Sequence, residues 1–437
     1  MKILLCIAYL FIILFLIRKI PLFKQEYISY RFTYALFLIK VLVSFILFII
    51  YTQFYTDRQN NDIFKYYDDG KIMYEAFHKN PADYIKMLTG ISDDEPQLNE
   101  YYHKMNFWVK PYNYEILNEN KTLIRLNAFI CLFSMNIYFV HVLVFIFLSF
   151  IGLFALFKLL APCFVHSNYL LAILIFLMPS TVFWSSAILK ESLVFFNMGL
   201  MLWYLNKLLQ NDINAKNIFL TFLFAVLLSI SKIYILIILI PAMLTLILFN
   251  LFRKMNKPIL FTLIHVVILF MFFHSTLFSP YNFTQIVVAK QHNFIAMVNS
   301  FPQVGSKISI PILEPSVTSF LINSPNALIN SLFRPTLFEA HNLVSLMAAI
   351  ENAGIVLIFI LLIFFHKKPV VQNNYWLWFS FSFTVLLFTL IGLTTPVLGA
   401  LVRYKIPALP FLMFLLFNYM DVNKLTNKLF RKWKKSY

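Results

Sequence analysis

The stretch MNIYFVHVLVFIFLSFIGLFALF, residues 135–157, contains no Asp, Glu, Lys or Arg. An α-helix rises about 1.5 Å per residue, so roughly 20 apolar residues cross the hydrocarbon core of a bilayer. The whole chain agrees with this segment, since 60% of its 437 residues are hydrophobic and only 13% are charged. Soluble domains carry about twice that share of charged residues. The sequence therefore predicts an all-α, polytopic bundle of transmembrane helices.

Eleven segments are long and apolar enough to be predicted as transmembrane helices. They lie at residues 3–17, 32–55, 135–157, 168–188, 192–206, 217–231, 234–252, 259–277, 343–365, 374–393 and 404–420. The resulting domain organisation is 1–55 (two helices), 56–125 (a first long loop), 126–277 (helices three to eight), 278–342 (a second long loop), 343–420 (three helices) and 421–437 (a basic tail). Only 8 glycines are present, so we expect little glycine-mediated helix packing.

The net charge of +17 is explained by topology. The positive-inside rule places most basic residues on one side when the N-terminus is outside and the C-terminus is cytoplasmic. This orientation puts both long loops on the outer face of the membrane. Anionic lipid headgroups then account for the basicity, and a nucleic-acid partner is excluded because no soluble basic face remains.

Two adjacent carboxylates, Asp68 and Asp69, lie in the first long loop shortly after the second predicted span. At the membrane surface, either could act as a general base on an acceptor hydroxyl, or the pair could hold a divalent cation. The alternative is an acidic turn that caps a helix beginning near Lys71. The scattered histidines and three cysteines show no metal-ligand spacing, so we predict no protein-bound metal site and no definite cofactor, with a divalent cation left open.

A proline at Pro179 breaks the fourth predicted span, and a Ser/Thr-rich segment then leads to Lys190 and Glu191. Broken backbone at membrane depth is tolerated where it lines a cavity. We therefore predict that Lys190 contacts a phosphate and Glu191 a sugar. The alternative is an interfacial turn with a local ion pair. Lys232 separates two predicted spans near the outer face, where its side chain can reach the membrane surface.

The second long loop ends with Arg334 and Glu339, directly before a span that carries Glu351. A guanidinium suits bidentate contact with phosphate, and Glu339 can pair with Arg334 as a structural partner. Glu351 lies inside an apolar segment, so it requires an internal partner or a proton.

The last predicted span begins with Arg403, Tyr404 and Lys405. Cations at a helix N-terminus, with prolines in the following turn, form an anion site. The alternative is an aromatic and basic collar at the membrane surface.

Together, Asp68 and Asp69 in the first loop, the turn from Pro179 to Glu191, the stretch from Arg334 to Glu339 and Arg403-Tyr404-x-x-Pro407 resemble GT-C-type polytopic glycosyltransferases of bacterial surface-polysaccharide synthesis. The resemblance implies a GT-C-like bundle in which Asp69, or Asp68, is the base. It implies that Lys190, Arg334 and Arg403 bind the donor phosphate and that Glu191 or Glu339 orients sugar hydroxyls. The chain departs from the family in having an extra N-terminal span and no large C-terminal domain.

The sequence and this resemblance predict an enzyme that moves a sugar from a polyprenyl-phosphate donor to a glycan or lipid-linked acceptor. Its partners are then the polyprenyl-linked sugar, the acceptor glycan and membrane lipids. One alternative is an O-antigen-type polysaccharide polymerase or ligase. A second is a transporter or a non-enzymatic subunit of an envelope complex, which would carry polar residues through the membrane midplane.

Overall fold

The computed structural model describes residues 2–55, 58, 61–109, 118–300, 306–368 and 375–433. Parts of both predicted long loops, residue 374 of the tenth predicted span and residues 434–437 of the predicted tail lie outside the described residues. The described residues are mostly helical, and the extended pairing found among them consists of two isolated β-bridges. The all-α prediction is therefore confirmed.

Nineteen α-helices form the described part of the chain. They are α1 (Lys2–Lys19), α2 (Tyr30–Gln53), α3 (Asp62–Lys79), α4 (Pro81–Thr89), α5 (Asn99–Tyr102), α6 (Glu119–Ser134), α7 (Tyr138–Leu160), α8 (Asn168–Phe176), α9 (Pro179–Trp184), α10 (Lys190–Leu209), α11 (Ala215–Leu251), α12 (Lys257–Phe273), α13 (Phe283–Ser300), α14 (Val317–Phe333), α15 (Leu343–Phe364), α16 (Tyr375–Thr394), α17 (Leu398–Lys405), α18 (Leu409–Asn418) and α19 (Val422–Trp433).

Seven helical segments in the described chain are long and apolar enough to cross a membrane. They are Tyr30–Gln53, Tyr138–Cys163, Lys190–Leu209, Ala215–Leu251, Leu343–Phe364, Tyr375–Thr394 and Leu398–Asn418. Eight of the eleven predicted spans fall on these segments, because α11 covers two of them with non-helical backbone at Lys232. The chain is thus a multi-pass α-helical membrane protein.

The other three predicted spans do not fall on helices that are long and apolar enough to cross a membrane. The segment predicted at 168–188 forms two short helices, α8 and α9, because the helix ends before Pro179. The segment at 3–17 forms α1, which is apolar but carries basic residues at both ends. The segment at 259–277 forms α12, whose 17 residues are marginal for a span.

Both predicted long loops are largely helical rather than irregular. The acidic region at 56–125 contains α3, α4 and α5 and the start of α6, while the region at 278–342 contains α13 and α14. Helices satisfy their own backbone hydrogen bonds, so these connections offer defined surfaces on which side chains are held in place.

The chain divides into two compact units, which we call unit 1 (Met1–Leu159 and Val182–Leu236) and unit 2 (Leu160–Thr181 and Ile237–Tyr437). In unit 1, α7 and α10 meet at a pair of glycines. A Cβ added at Gly152 would lie 2.0 Å from the carbonyl oxygen of Phe195, and one added at Gly199 would lie 2.1 Å from the carbonyl oxygen of Gly152. The expectation of little glycine-mediated packing is wrong at this crossing, because two of the few glycines coincide there.

Unit 1 has a second close contact between α3 and α6. A Cβ added at Gly70 would lie 2.6 Å from the Cβ of Asn127 and 3.0 Å from the backbone nitrogen of Ala128. Gly70 follows Asp69 directly, so this contact fixes the part of α3 that carries the predicted carboxylates.

Unit 2 is built around α14, α16 and α18. A Cβ added at Gly392 in α16 would lie 2.0 Å from the carbonyl oxygen of Ala327 in α14. On its other side α16 packs through Phe379 and Phe383 against Phe411 of α18, with ring centroids 5.2 and 5.4 Å apart. These contacts hold the backbone near Arg334, Glu351 and Lys405.

Candidate functional site

The two predicted carboxylates lie within α3, not at a turn before it. Asp69 is fully buried, and its oxygens accept the backbone N–H groups of Asn106 at 3.0 Å and Phe107 at 2.8 Å. Asp68 is partly exposed and accepts from Arg58, with Nε at 3.0 Å and Nη2 at 2.8 Å. The alternative of a capping turn before a helix at Lys71 is therefore wrong. One carboxylate faces the interior and the other faces a cation near the surface.

Burial raises the pKa of Asp69 to about 6. The two backbone hydrogen bonds oppose this effect, because they stabilise the charged carboxylate, and the negative charge of Asp68 adds to it. A carboxyl group with a pKa near neutrality exchanges a proton readily in the physiological range.

This raised pKa gives a pH-dependent stability. A carboxyl whose pKa is higher in the folded than in the unfolded protein contributes stability below the unfolded value, 3.8, and loses it as the pH rises through about 6. We expect the unfolding free energy of the wild type to fall by about 2 kcal/mol between pH 4 and pH 7 relative to Asp69→Asn. Thermal unfolding in detergent at several pH values measures this difference. A constant difference between the two proteins would contradict the assignment.

At the start of α10, Lys190 and Glu191 pair with residues of other helices and not only with local groups. The ammonium of Lys190 lies 2.9 Å from the carboxylate of Glu119 at the start of α6. The carboxylate of Glu191 lies 2.6 Å from the ammonium of Lys232, at the non-helical position of α11. All four side chains are largely buried, so this cluster, which we call the α10 charge cluster, places two ion pairs at one end of a candidate span.

The α10 charge cluster connects to Asp69 through a short segment. The side chain of Asn118 donates to the carbonyl of Trp108 at 2.8 Å, and that of Asn120 donates to the carbonyl of Phe107 at 3.3 Å. Segment 106–108, whose N–H groups bind Asp69, is thereby attached to the start of α6, where Glu119 binds Lys190. Unit 1 brings the predicted residues Asp69, Lys190 and Glu191 into one connected network.

Sequence reasoning missed Glu119 and treated Lys232 as a side chain that reaches the surface. Lys232 is instead buried against Glu191. The available signal was the cost of an unpaired charge in an apolar helix, which requires a partner for each such residue. The same reasoning applies to Lys40 in α2, which is fully buried and donates to the carbonyl of Ser185 at 3.0 Å.

In unit 2, Arg334 and Glu339 pair with each other, which is the structural alternative considered for them. Arg334 Nε donates to Glu339 Oε1 at 2.8 Å, and Arg334 Nη2 contacts the same oxygen. Glu339 also accepts from the backbone N–H of Thr336 at 2.8 Å. Burial raises the pKa of Glu339, but the hydrogen bonds from Arg334 and Thr336 outweigh it and leave that pKa below its usual value. Both side chains remain partly exposed.

The predicted anion site at the start of the last span is wrong in its geometry. Arg403, Tyr404 and Lys405 occupy the last turn of α17, so they are not the first turn of a helix. Lys405 is fully buried and donates to the carbonyl of Ser331 at 3.0 Å and to the side-chain oxygen of Asn352 at 2.7 Å. Arg403 and Tyr404 are half-buried beside it.

Glu351, the carboxylate predicted to need an internal partner, lies close to this lysine. Its Oε2 accepts the backbone N–H of Ser180 at 2.6 Å, and the charge of Lys405 acts on it. Unit 2 thus brings together Lys405, Asn352 and Glu351 inside the bundle, and it places Arg334 and Glu339 at a partly exposed position.

No group of three or more His, Cys, Asp or Glu suited to a metal ion occurs in the residues that the structure describes. Chemically, the arrangement offers carboxylates that can accept a proton and ammonium or guanidinium groups that can bind an anion. Comparison of the chain with protein-family models, curated proteins and solved structures finds no match. The class of protein therefore rests on its own fold, which is that of a multi-pass helical membrane protein with buried charged networks.

Proposed function

We propose that the protein is an integral-membrane glycosyltransferase that moves a sugar from a polyprenyl-phosphate donor to a glycan or lipid-linked acceptor. The observation that carries the proposal is the α10 charge cluster and its connection to Asp69. Buried charges in an apolar helical protein cost free energy, so their retention points to function. A glycosyl transfer from a lipid phosphate requires a proton acceptor and cations near the departing phosphate. The network supplies the cations, and Asp68, which precedes Asp69 on α3, supplies the acceptor.

In this proposal the two adjacent aspartates have different roles. Asp68 is the carboxylate that an acceptor hydroxyl can reach. It would act as the base after its hydrogen bonds from Arg58 are replaced by one from the hydroxyl. Asp69 is a positioning residue, because both of its oxygens hold segment 106–107. Lys190 and Lys232 supply positive charge. Glu191 and Glu119 balance this charge and can accept hydrogen bonds from sugar hydroxyls.

The proposed topology follows the sequence prediction. Eleven spans, an N-terminus outside and a C-terminus in the cytoplasm would put α3 to α6 on the outer face of a bacterial inner membrane. The proposed donor carries its activated sugar on a lipid, so it requires no nucleotide site.

The test is mass spectrometry of polyprenyl-linked sugars in membranes of a strain without the protein and of its complemented parent. Accumulation of a polyprenyl monophosphate carrying one sugar in the deletion strain is the expected result, and it identifies the donor. An unchanged lipid pool would contradict the proposal. Accumulation of polyprenyl-diphosphate-linked repeats would favour the polymerase or ligase, for which Arg334→Gln and Arg403→Gln should reduce activity more than changes at Asp68.

The same assay separates the two aspartates. We expect Asp68→Asn to lower transfer by about 100-fold or more with unchanged thermal stability, because a general base contributes that much and its ion pair is exposed. Asp69→Asn should lower transfer and thermal stability together, and it should also alter the pH profile of transfer, which a purely structural role would not change. Equal expression and a monodisperse elution profile are the controls. Full activity of both variants would show that neither aspartate is the base.

A transporter is the second candidate, because the spans contain more buried polar groups than the sequence suggests. Lys40, the pair of Glu191 and Lys232, and Lys405 with Asn352 are all buried in helices that qualify as spans. Flux of a substrate in proteoliposomes that is unaffected by Asp68→Asn and abolished by Lys405→Met would favour this class over the transferase.

A further inference from the structure

A cleft of about 700 Å³ lies in unit 1 where α1 ends and α2 begins. It is lined by Arg18, Gln25, Ser29, Tyr30, Arg31 and Tyr34. None of these residues belongs to the network of Asp69 and the α10 charge cluster. The cleft therefore requires its own explanation.

The walls of this cleft are held in place by packing and capping. Phe23, in the connection between the two helices, is buried and stacks on Phe150, with an edge contact to Phe154 at 4.8 Å. Ser29 caps α2 by accepting the backbone N–H of Phe32 at 3.3 Å. The rings of Tyr30 and Tyr34 stack one helical turn apart, so this part of the lining is held in place.

The cleft has a positive charge that its surroundings do not neutralise. Within residues 1–55 the sequence has a single acidic residue, Glu26, and its carboxylate lies 2.8 Å from the ammonium of Lys158. In the part of the chain that the structure describes, Arg18 and Arg31 are exposed, and their guanidinium groups make no hydrogen bond or ion pair. Two arginines therefore line a cleft that has no carboxylate among its lining residues, and Lys19 and Lys24 are close to them in sequence.

The position of the cleft along the membrane normal follows from α2. This helix is a candidate span that begins at Tyr30, so Tyr30 and Arg31 lie at one end of it. The ends of a span lie at the depth of the lipid headgroups, where tyrosines are enriched and phosphates are concentrated. A guanidinium donates two parallel hydrogen bonds to a phosphate, a geometry that a lysine cannot reproduce.

We propose that this cleft binds the phosphate group of a membrane lipid through Arg18 and Arg31, with Tyr30 and Tyr34 against the adjoining part of the lipid. A phospholipid headgroup and a polyprenyl phosphate present the same anionic group at the same depth. The proposal does not depend on the glycosyltransferase, because it rests on residues outside the proposed active site.

The experiment is native mass spectrometry of the full-length protein released from detergent. The protein is titrated with dioleoylphosphatidylglycerol, with undecaprenyl phosphate and with dioleoylglycerol, which has the same tails as the first and no phosphate. The test variant is Arg18→Gln/Arg31→Gln. The matched control is Lys367→Gln/Lys368→Gln, which removes two exposed positive charges after α15.

We expect the lipid phosphates to bind the wild type and the control variant equally, and the test variant at least roughly 100-fold more weakly, as for the loss of two hydrogen bonds from charged groups. Arg18→Lys/Arg31→Lys keeps the charge but loses the bidentate geometry, so its affinity for the lipid phosphates should be intermediate. It replaces the glutamine variant as the test if that variant is unstable.

The outcomes separate the sources of the phosphate. An arginine-dependent affinity for undecaprenyl phosphate alone identifies the polyprenyl lipid, one for phosphatidylglycerol alone identifies a phospholipid, and one for both identifies a general lipid-phosphate site. Displacement of the lipids by 1 mM inorganic phosphate, in the range of ordinary anion affinities, would show that free phosphate is the ligand and overturn the proposal. Equal affinity of wild type and test variant, or equal binding of dioleoylglycerol, would also overturn it.

Discussion

Replacement of Gly152 by alanine should lower the unfolding free energy by about 3 kcal/mol, which is the upper end of the cost of overpacking. A Cβ at this position would lie 2.0 Å from a backbone oxygen of α10, and that oxygen cannot move without its helix. The α7 and α10 helices would have to separate. Since α10 begins with Lys190 and Glu191, the separation would also disturb the α10 charge cluster. We expect Gly152→Leu to give no folded protein.

The control for this prediction is Gly354→Ala in α15. No atom lies within 4 Å of a Cβ added at Gly354, and alanine favours a helix over glycine by up to about 1 kcal/mol. The alanine variant at Gly354 should therefore be as stable as the wild type or more so. Thermal unfolding in detergent, followed by the loss of monodisperse protein, measures both variants. Equal melting temperatures for Gly152→Ala and Gly354→Ala would show that the helices do not cross at Gly152.

Breaking the pair of Glu191 and Lys232 should destabilise the protein by about 3–5 kcal/mol. The carboxylate and the ammonium are 2.6 Å apart with side chains only 1% and 5% exposed, so Glu191→Gln leaves a buried ammonium without its carboxylate. Lys232→Met leaves a buried carboxylate without its ammonium. The double variant Glu191→Gln/Lys232→Met removes both charges, and its loss should be well below the sum of the two single losses.

The matched control is the pair of Lys79 and Glu100, which also lies in unit 1 but has both side chains more than half exposed. Glu100→Gln should leave the melting temperature nearly unchanged, because solvent screens an exposed ion pair. Additive losses in the double variant at Glu191 and Lys232 would contradict a direct pair. In the transfer assay, full activity of the double variant would show that this pair has only a structural role. Lys190 would then remain as the proposed phosphate contact.

The architecture of the chain was predictable from sequence wherever it depends on one helix alone. An uncharged run such as residues 135–157 has one stable conformation in a bilayer, because a helix is the form that satisfies every backbone group within one segment. Eight predicted spans therefore coincide with helices that qualify. The segment at 168–188 is not one continuous helix, because α8 ends before Pro179, where the sequence predicted a break and where a proline disfavours continuation of the helix.

The candidate site was predictable in part. Sequence identified Lys190, Glu191, Arg334 and Lys405 from the cost of placing charges near an apolar segment, and that cost depends on local composition. It could not identify their partners, because Glu119 and Lys232 are distant from α10 along the chain and contact it only after the helices pack. Nor could it distinguish Asp68 from Asp69, whose different exposures depend on which face of α3 packs against segment 106–107.

By itself, then, the sequence determined that this is a helical membrane protein with excess positive charge, because hydropathy and charge act residue by residue. Tertiary structure alone decided that Asp69 is enclosed, that Lys405 points into the bundle, and that Gly152 and Gly199 meet. Each of these features depends on the relative position of two helices. Helix packing is set by the sum of many small contacts between residues far apart in sequence, which no local pattern contains.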